Sequence, residues 1–224
     1  MTPLPCSGAR PIYLLGCGGH GRVVLDCLQV CALPVQGIID AALPRGTLVD
    51  GVTVLGGDEQ LAQLDARTAA LCIGVGMMPG STRRAELFTG CRQRGFELVS
   101  VVHPSAALAL RRSFGAGVQI MAGAVVQTGV RLEDNVIVNT GASVDHDCVI
   151  GSDVMIGPGA VLCGEVHIGA GTYVGAGAVI LPGMQIGARA VIGAGSIVIR
   201  GVGDGVKVGG NPARVIGAAG GSDA

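Results

Sequence analysis

From Val118 to Gly201 the chain reads VQIMAG, AVVQTG, VRLEDN, VIVNTG, ASVDHD, CVIGSD, VMIGPG, AVLCGE, VHIGAG, TYVGAG, AVILPG, MQIGAR, AVIGAG, SIVIRG. The third residue of every hexad, from Ile120 through Ile150 and Ile168 to Val198, is Ile, Val or Leu without exception. A period of six fits neither an α-helix near 3.6 nor an isolated strand at 2, but it fits a short strand plus a turn repeated around a triangular coil. Each hexad then forms one side of the triangle, its aliphatic side chain pointing to the axis. Small residues at many first positions (Ala124, Ala142, Cys148, Ala160, Thr172, Ala178, Ala190, Ser196) fit beside it at the corner. Three hexads make one coil, stacked strands pair in parallel, and Gly or Asn at hexad ends gives the corners their backbone freedom.

Composition agrees with an aliphatic core. Of 224 residues 40 are Gly, none is Trp, and only Tyr13, Phe88, Phe96, Phe114 and Tyr173 are aromatic. Collagen and disorder are excluded by the absence of a Gly-X-Y period and by a hydrophobic fraction of 49%. A net charge of −1 offers no basic field for nucleic acid or anionic lipid. No apolar run reaches membrane-spanning length and residues 1–10 lack a signal-peptide pattern, so a cytoplasmic protein without membrane insertion is expected. Eight cysteines, Cys6 included, form no C-x-x-C pair and sit in apolar stretches, which suits reduced buried thiols; no metal is expected.

Residues 11–102 alternate strand and helix patterns: PIYLLG, a helix from His20 to Cys31, GIID, VTVLGG, a helix near Asp58 to Leu64, ALCIGV, a helix near Arg83 to Gly95, and LVSVV. A parallel α/β sheet follows. Gly16-Cys17-Gly18-Gly19-His20-Gly21 matches G-x-G-x-x-G between a strand and a helix, with Asp40 closing the next strand. Alone, this loop suggests a dehydrogenase. Some ninety residues hold only half a dinucleotide fold, however, so a nucleotide or nucleotide sugar is the better fit, with a nicotinamide or flavin cofactor and a purely structural turn as the alternatives. Backbone amides at the helix start would face phosphate, and Asp40 would accept hydrogen bonds from ribose or base. The expected division is a nucleotide-sugar-binding α/β domain over 1–102, a junction over 103–117, a β-helix over 118–201 and a tail over 202–224.

Three further stretches narrow the reading: Val102-His103-Pro104-Ser105-Ala106, Ile137-Val138-Asn139-Thr140-Gly141-Ala142-Ser143-Val144-Asp145-His146-Asp147-Cys148, and Gly210-Asn211-Pro212-Ala213-Arg214. With the glycine loop, they resemble the hexapeptide-repeat sugar O- and N-acyltransferases related to sialic acid O-acetyltransferase, especially those that N-acetylate nucleotide-linked 4-amino-deoxy sugars. The resemblance runs from Pro11 to Val215. It implies a half-Rossmann domain followed by a left-handed parallel β-helix, a homotrimer with active sites between neighbouring helices, and a role in bacterial surface polysaccharide synthesis. It also implies acetyl-CoA as co-substrate, a UDP- or GDP-linked amino sugar as acceptor, and His146 as general base with Asp147 orienting its ring.

The chemistry needs such a base, because a sugar amine attacks a thioester only after losing a proton and builds an oxyanion that a backbone N–H can hold. The resemblance assigns Gly16, Cys17, Gly18, Gly19, His20, Gly21, Asp40, Gly74 and Asn139 to the nucleotide sugar. To acetyl-CoA it assigns Met155, Gly157, Gly164, Gly175, Ala176, Gly193, Lys207 and Arg214, with the Gly164 amide as oxyanion donor. Asn139 and Glu165 would contact the acceptor or be solvated corners, whereas His103 and His167 read as structural. Met155 stands where several relatives carry a second His, and it cannot donate a hydrogen bond. A sialic-acid-type O-acetyltransferase and a non-catalytic nucleotide-binding trimer remain as alternatives; an architectural β-helix would need a regular exposed face that this repeat lacks.

Overall fold

The computed structural model describes residues 10–220; Cys6 and the other residues outside that range are not described. The described residues form two compact units, one of residues 10–76 and 83–104, the other of residues 77–82 and 105–220.

In the first unit the elements follow the apolar runs. They are β1 (Ile12–Leu15), α1 (Gly19–Val30), β2 (Val35–Ile39), β3 (Leu48–Val49), β4 (Val52–Gly56), α2 (Asp58–Leu61), β5 (Ala70–Ile73), α3 (Arg83–Gln93) and β6 (Glu97–Leu98). They build one sheet in the order β3-β4-β2-β1-β5-β6, all parallel except the β3–β4 hairpin. Its first strand, β3, lies between GIID and VTVLGG, where no strand was expected. β1 and β5 are buried along almost their whole length, as a central parallel strand requires, and Leu14, Leu25, Leu28, Ile38 and Cys72 form the core between sheet and helix. The run LVSVV does not continue as one strand: Glu97–Leu98 pairs with β5, and Val101–Val102 is a separate strand.

In the second unit the hexads form a three-sided parallel coil. One side stacks Gln119–Ile120, Ile137–Val138, Met155–Ile156, Tyr173–Val174 and Val191–Ile192 in register. The second runs from Ala107–Leu108 to Ile197–Val198, and the third from Ser113–Phe114 to Gln185–Ile186. All fourteen third-position aliphatics are no more than 4% exposed, and burying each contributes roughly 1.5–3 kcal/mol.

Every sixth residue from Gly117 to Gly195 has positive φ, and the positions not occupied by Gly are Asn135, Asp147, Asp153, Glu165 and Arg189. The stretch read as a junction carries two coil strands, Ala107–Leu108 and Ser113–Phe114, which pair with Val125–Val126 and Arg131–Leu132. Leu108 and Phe114 occupy third positions of the same period. The tail stretch adds Val206–Gly209, parallel to Val191–Ile192, and an antiparallel return strand Arg214–Ala218.

Candidate active site

His146 occupies the fifth position of its hexad, at a corner, so its side chain leaves the coil and is half exposed. Its orientation is built from its neighbours. The His146 N–H donates to Asp145 Oδ1 at 2.8 Å, and the Asp147 N–H donates to the Thr128 carbonyl one coil below at 3.0 Å. The left-handed backbone of Asp147, φ +58°, turns its carboxylate back toward the ring, and Nδ1–H donates to Asp147 Oδ2 at 3.0 Å. Fixing the proton on Nδ1 leaves Nε2 as a hydrogen-bond acceptor. The hydrogen bond to Asp147, with the charges of Asp145, Asp147 and Glu165, holds the imidazole above its ordinary value and makes it a stronger base.

Directly above lies Gly164, one coil later. A Cβ there would fall well inside contact distance of His146 Nε2. Gly164 has no positive φ, so glycine is required at this point for the approach of the ring and not for backbone freedom.

The second cluster lies in the α/β unit. A cleft of about 680 Å³ opens at the carboxyl ends of β1, β2 and β5. That is where the strand order reverses, since β2 follows β1 on one side and β5 flanks it on the other, and open parallel sheets bind ligands at such a point. The glycines of the loop divide into two roles. Side chains at Gly21 or Gly74 would collide with the Gly16 carbonyl, so these three lock the β1–α1 turn against the end of β5. Around Gly18 and Gly19 there is open space, and helix α1 begins with no side-chain cap and no acidic residue in its first turn. The start of a twelve-residue helix without a side-chain cap is a favourable anion position.

Asp40 lines the cleft but holds its wall together as well: Oδ2 accepts the Cys17 N–H at 2.6 Å and Oδ1 the Ala42 N–H at 2.8 Å. His20 also lines the cleft. Cys17 and Gly21 do not; both are buried, and burial pushes the Cys17 thiol up. Sequence reading missed Asp58, Arg83 and Glu86, which line the cleft from the starts of α2 and α3. The available signal was topological, for helices that follow parallel strands begin at the carboxyl edge of the sheet.

The residues assigned to the coenzyme behave differently from expectation in part. Met155 is 6% exposed and packs with Met77, Ile137 and Tyr173, so its thioether fills an apolar core instead of lining an open groove. At Gly157 and Gly175 the missing side chains make room for the next coil: a Cβ on Gly157 would lie 2.7 Å from the Val174 carbonyl oxygen, and one on Gly175 2.5 Å from the Ala194 nitrogen. Coil stacking by itself therefore requires glycine at both. Gly193 has a Cβ position 3.1 Å from the Val208 carbonyl oxygen, Ala176 is an exposed corner, Lys207 lies within Val206–Gly209, and Arg214 is on the exposed return strand. Asn139 belongs to the solenoid, where its Oδ1 accepts the Thr140 N–H at 2.8 Å and caps the corner. The exposed His167 sits on a flat side next to Val149 and Gln185. The seven described cysteines are free thiols, among the described residues no cluster of three or more His, Cys, Asp or Glu could hold a metal, and no helix is long and apolar enough to cross a membrane.

Both regions match known families. Residues 147–182 and 165–200 match the bacterial transferase hexapeptide model of six repeats, and residues 11–86 match the PglD N-terminal domain. PerB from Caulobacter crescentus, solved with CoA and GDP-perosamine, is 36% identical over 92% of this chain and 97% of its own, with a TM-score of 0.85. The acetyltransferase domain of PglB from Neisseria gonorrhoeae, solved with acetyl coenzyme A, is 33% identical over 93% of this chain and 100% of its own, at 0.86. The chain belongs to the hexapeptide-repeat sugar acyltransferases. It is therefore an acyltransferase with that family's half-Rossmann domain and left-handed β-helix. WeeI from Acinetobacter baumannii has the same fold at 28% identity over 93% of this chain and 100% of its own, with a TM-score of 0.83.

Proposed function

We propose that this acyltransferase moves the acetyl group of acetyl-CoA to the amino group of a nucleotide-linked amino-deoxy sugar, with His146 as general base. The observation that carries the reading is the His146 corner: a ring oriented by Asp147, its free Nε2 held against Gly164. Support for the acceptor class comes from the α/β cleft, with its uncapped helix start and Asp40-braced loop, and from the similarity to PerB, which was solved with CoA and GDP-perosamine.

In this reaction the amine nitrogen attacks the thioester carbonyl while its proton passes to His146 Nε2. Asp147 stabilises the imidazolium through Nδ1–H. The tetrahedral intermediate then expels the CoA sulfur, which takes the proton from Nε2. Proton transfer of this kind contributes about 10²–10⁴-fold. The Gly164 N–H is the proposed oxyanion donor, and Lys207 and Arg214 are proposed partners of the coenzyme phosphates. A homotrimer is proposed as the working assembly. Domain bounds near residue 105 accompany this reading.

Incubation with acetyl-CoA and a panel of GDP- and UDP-linked 4-amino sugars, read by mass spectrometry, tests it. One added acetyl on one acceptor, lost in His146→Ala, is the expected result. Transfer to free sialic acids alone would favour O-acetylation, and nucleotide binding without any transfer would favour a scaffold.

A further inference from the structure

Glu165 stands out among the corner residues. Along the coil the sixth position has positive φ, where a side chain on Cβ is strained, and Gly, Asn and Asp are the residues that tolerate it. Glu165, at φ +61°, and Arg189, at φ +53°, are the two that do not belong to that group. Glu165 lies one coil above Asp147 in the same stack of corners, follows Gly164 in the chain, and donates its N–H to the His146 carbonyl at 2.9 Å. It is exposed, so packing does not explain its retention.

We propose that Glu165 is a positioning residue for the transfer, a carboxylate on the coil next to the catalytic corner that, with Asp147, stabilises the imidazolium form of His146. The inference rests on His146 being the base. The charged groups around that ring are Asp145 and Asp147 on its own turn and Glu165 on the coil above, while Gly164 brings none. All three carboxylates favour the protonated ring and raise its affinity for a proton. A base of higher proton affinity accepts the amine proton more readily in the transition state, at the cost of being protonated to a higher pH. Glu165 therefore sets both the plateau rate and the acid limb of the pH profile.

Glu165→Gln keeps the strained backbone and removes the charge. The expected result is an acid limb of kcat/KM displaced to lower pH, a reduced kcat on the plateau, and an unchanged Tm. Glu165→Asp, which keeps the charge on a residue type already used at Asp147 and Asp153, should retain the native limb. Glu165→Gly should shift the limb as Gln does while raising Tm by about 2 °C through relief of strain. Arg189→Gly is the matched control, raising Tm by the same amount with no change in the profile. An inactive His146→Ala together with a Glu165→Gln profile that superimposes on the native one overturns this proposal alone. Full transfer by His146→Ala overturns the base assignment and this proposal with it.

Discussion

The β-helix and the α/β unit solve the same problem of burying aliphatic side chains in opposite ways. In the β-helix one residue in six points to the axis, the neighbours of each strand are its own repeats eighteen residues away, and the core is one-dimensional. In the α/β unit β1 lies between β2 and β5, which are separated from it by different connections, and the cleft is assembled from three strand ends and three helix starts. Periodicity therefore exposes the core of the first region in the sequence, while the second has to be assembled before its cleft exists. Even within the β-helix the periodic part is structural, and the proposed chemistry sits on the corner residues between the periodic positions, Asp145, His146 and Asp147.

The sharpest way to break this comparison is to change that corner and leave the repeat intact. His146→Ala should lower acetyl transfer by about 10²–10⁴-fold with Tm unchanged, measured by mass spectrometry and calorimetry. Gly164→Ala should come next, because a methyl group there collides with Nε2 and displaces the ring; a loss of about 100-fold is expected for a displacement near 1 Å. A substitution in the repeat should do the reverse. Ile156→Ala removes a fully buried axial side chain and should cost about 2–5 kcal/mol in chemical denaturation. If Ile156→Ala left stability untouched, the view of the third positions as a stabilising axial core would fail.

In the α/β unit, Asp40→Ala should weaken nucleotide-sugar binding by about tenfold in calorimetry by releasing the Cys17 and Ala42 N–H groups. Nucleotide affinity unchanged in Asp40→Ala would mean that the loop keeps its shape without the brace.

The smallest effect is a shift in pH. Because the hydrogen bond to Asp147 raises the His146 pKa, the acid limb of kcat/KM should lie above that of an ordinary imidazole, with activity lost as pH falls and the ring is protonated. Asp147→Asn should move that limb to lower pH. An unmoved limb would show that Asp147 orients the ring without tuning it.

What could be read from the residues followed their local rules. The third-position aliphatics, the strand-glycine-helix pattern of the loop and the V-D-H-D corner all announce themselves through spacing or residue type. Leu108 and Phe114 were overlooked because AALALR has none of the Gly, Asn or Asp that mark the corners of the later hexads, and RSFGAG has Phe where they have an aliphatic third residue. The glycines of the coil have a structural reason that the residues alone do not show. Gly157 and Gly175 are small because a coil lies on them, and Met155 is apolar because Met77 covers it.

The sequence by itself determined the coil, its period and the order of the two folds, and marked His146 as the candidate base, since each shows in neighbours at fixed separations along the chain. Only the tertiary structure decided that Gly164 lies against Nε2, that Glu165 on the next coil bonds the His146 carbonyl, and that Asp58, Arg83 and Glu86 share one cleft with Asp40. These are contacts between residues on different coils or different strands. They exist only once strand pairing has fixed which backbone lies above which, and no local pattern in the chain encodes that.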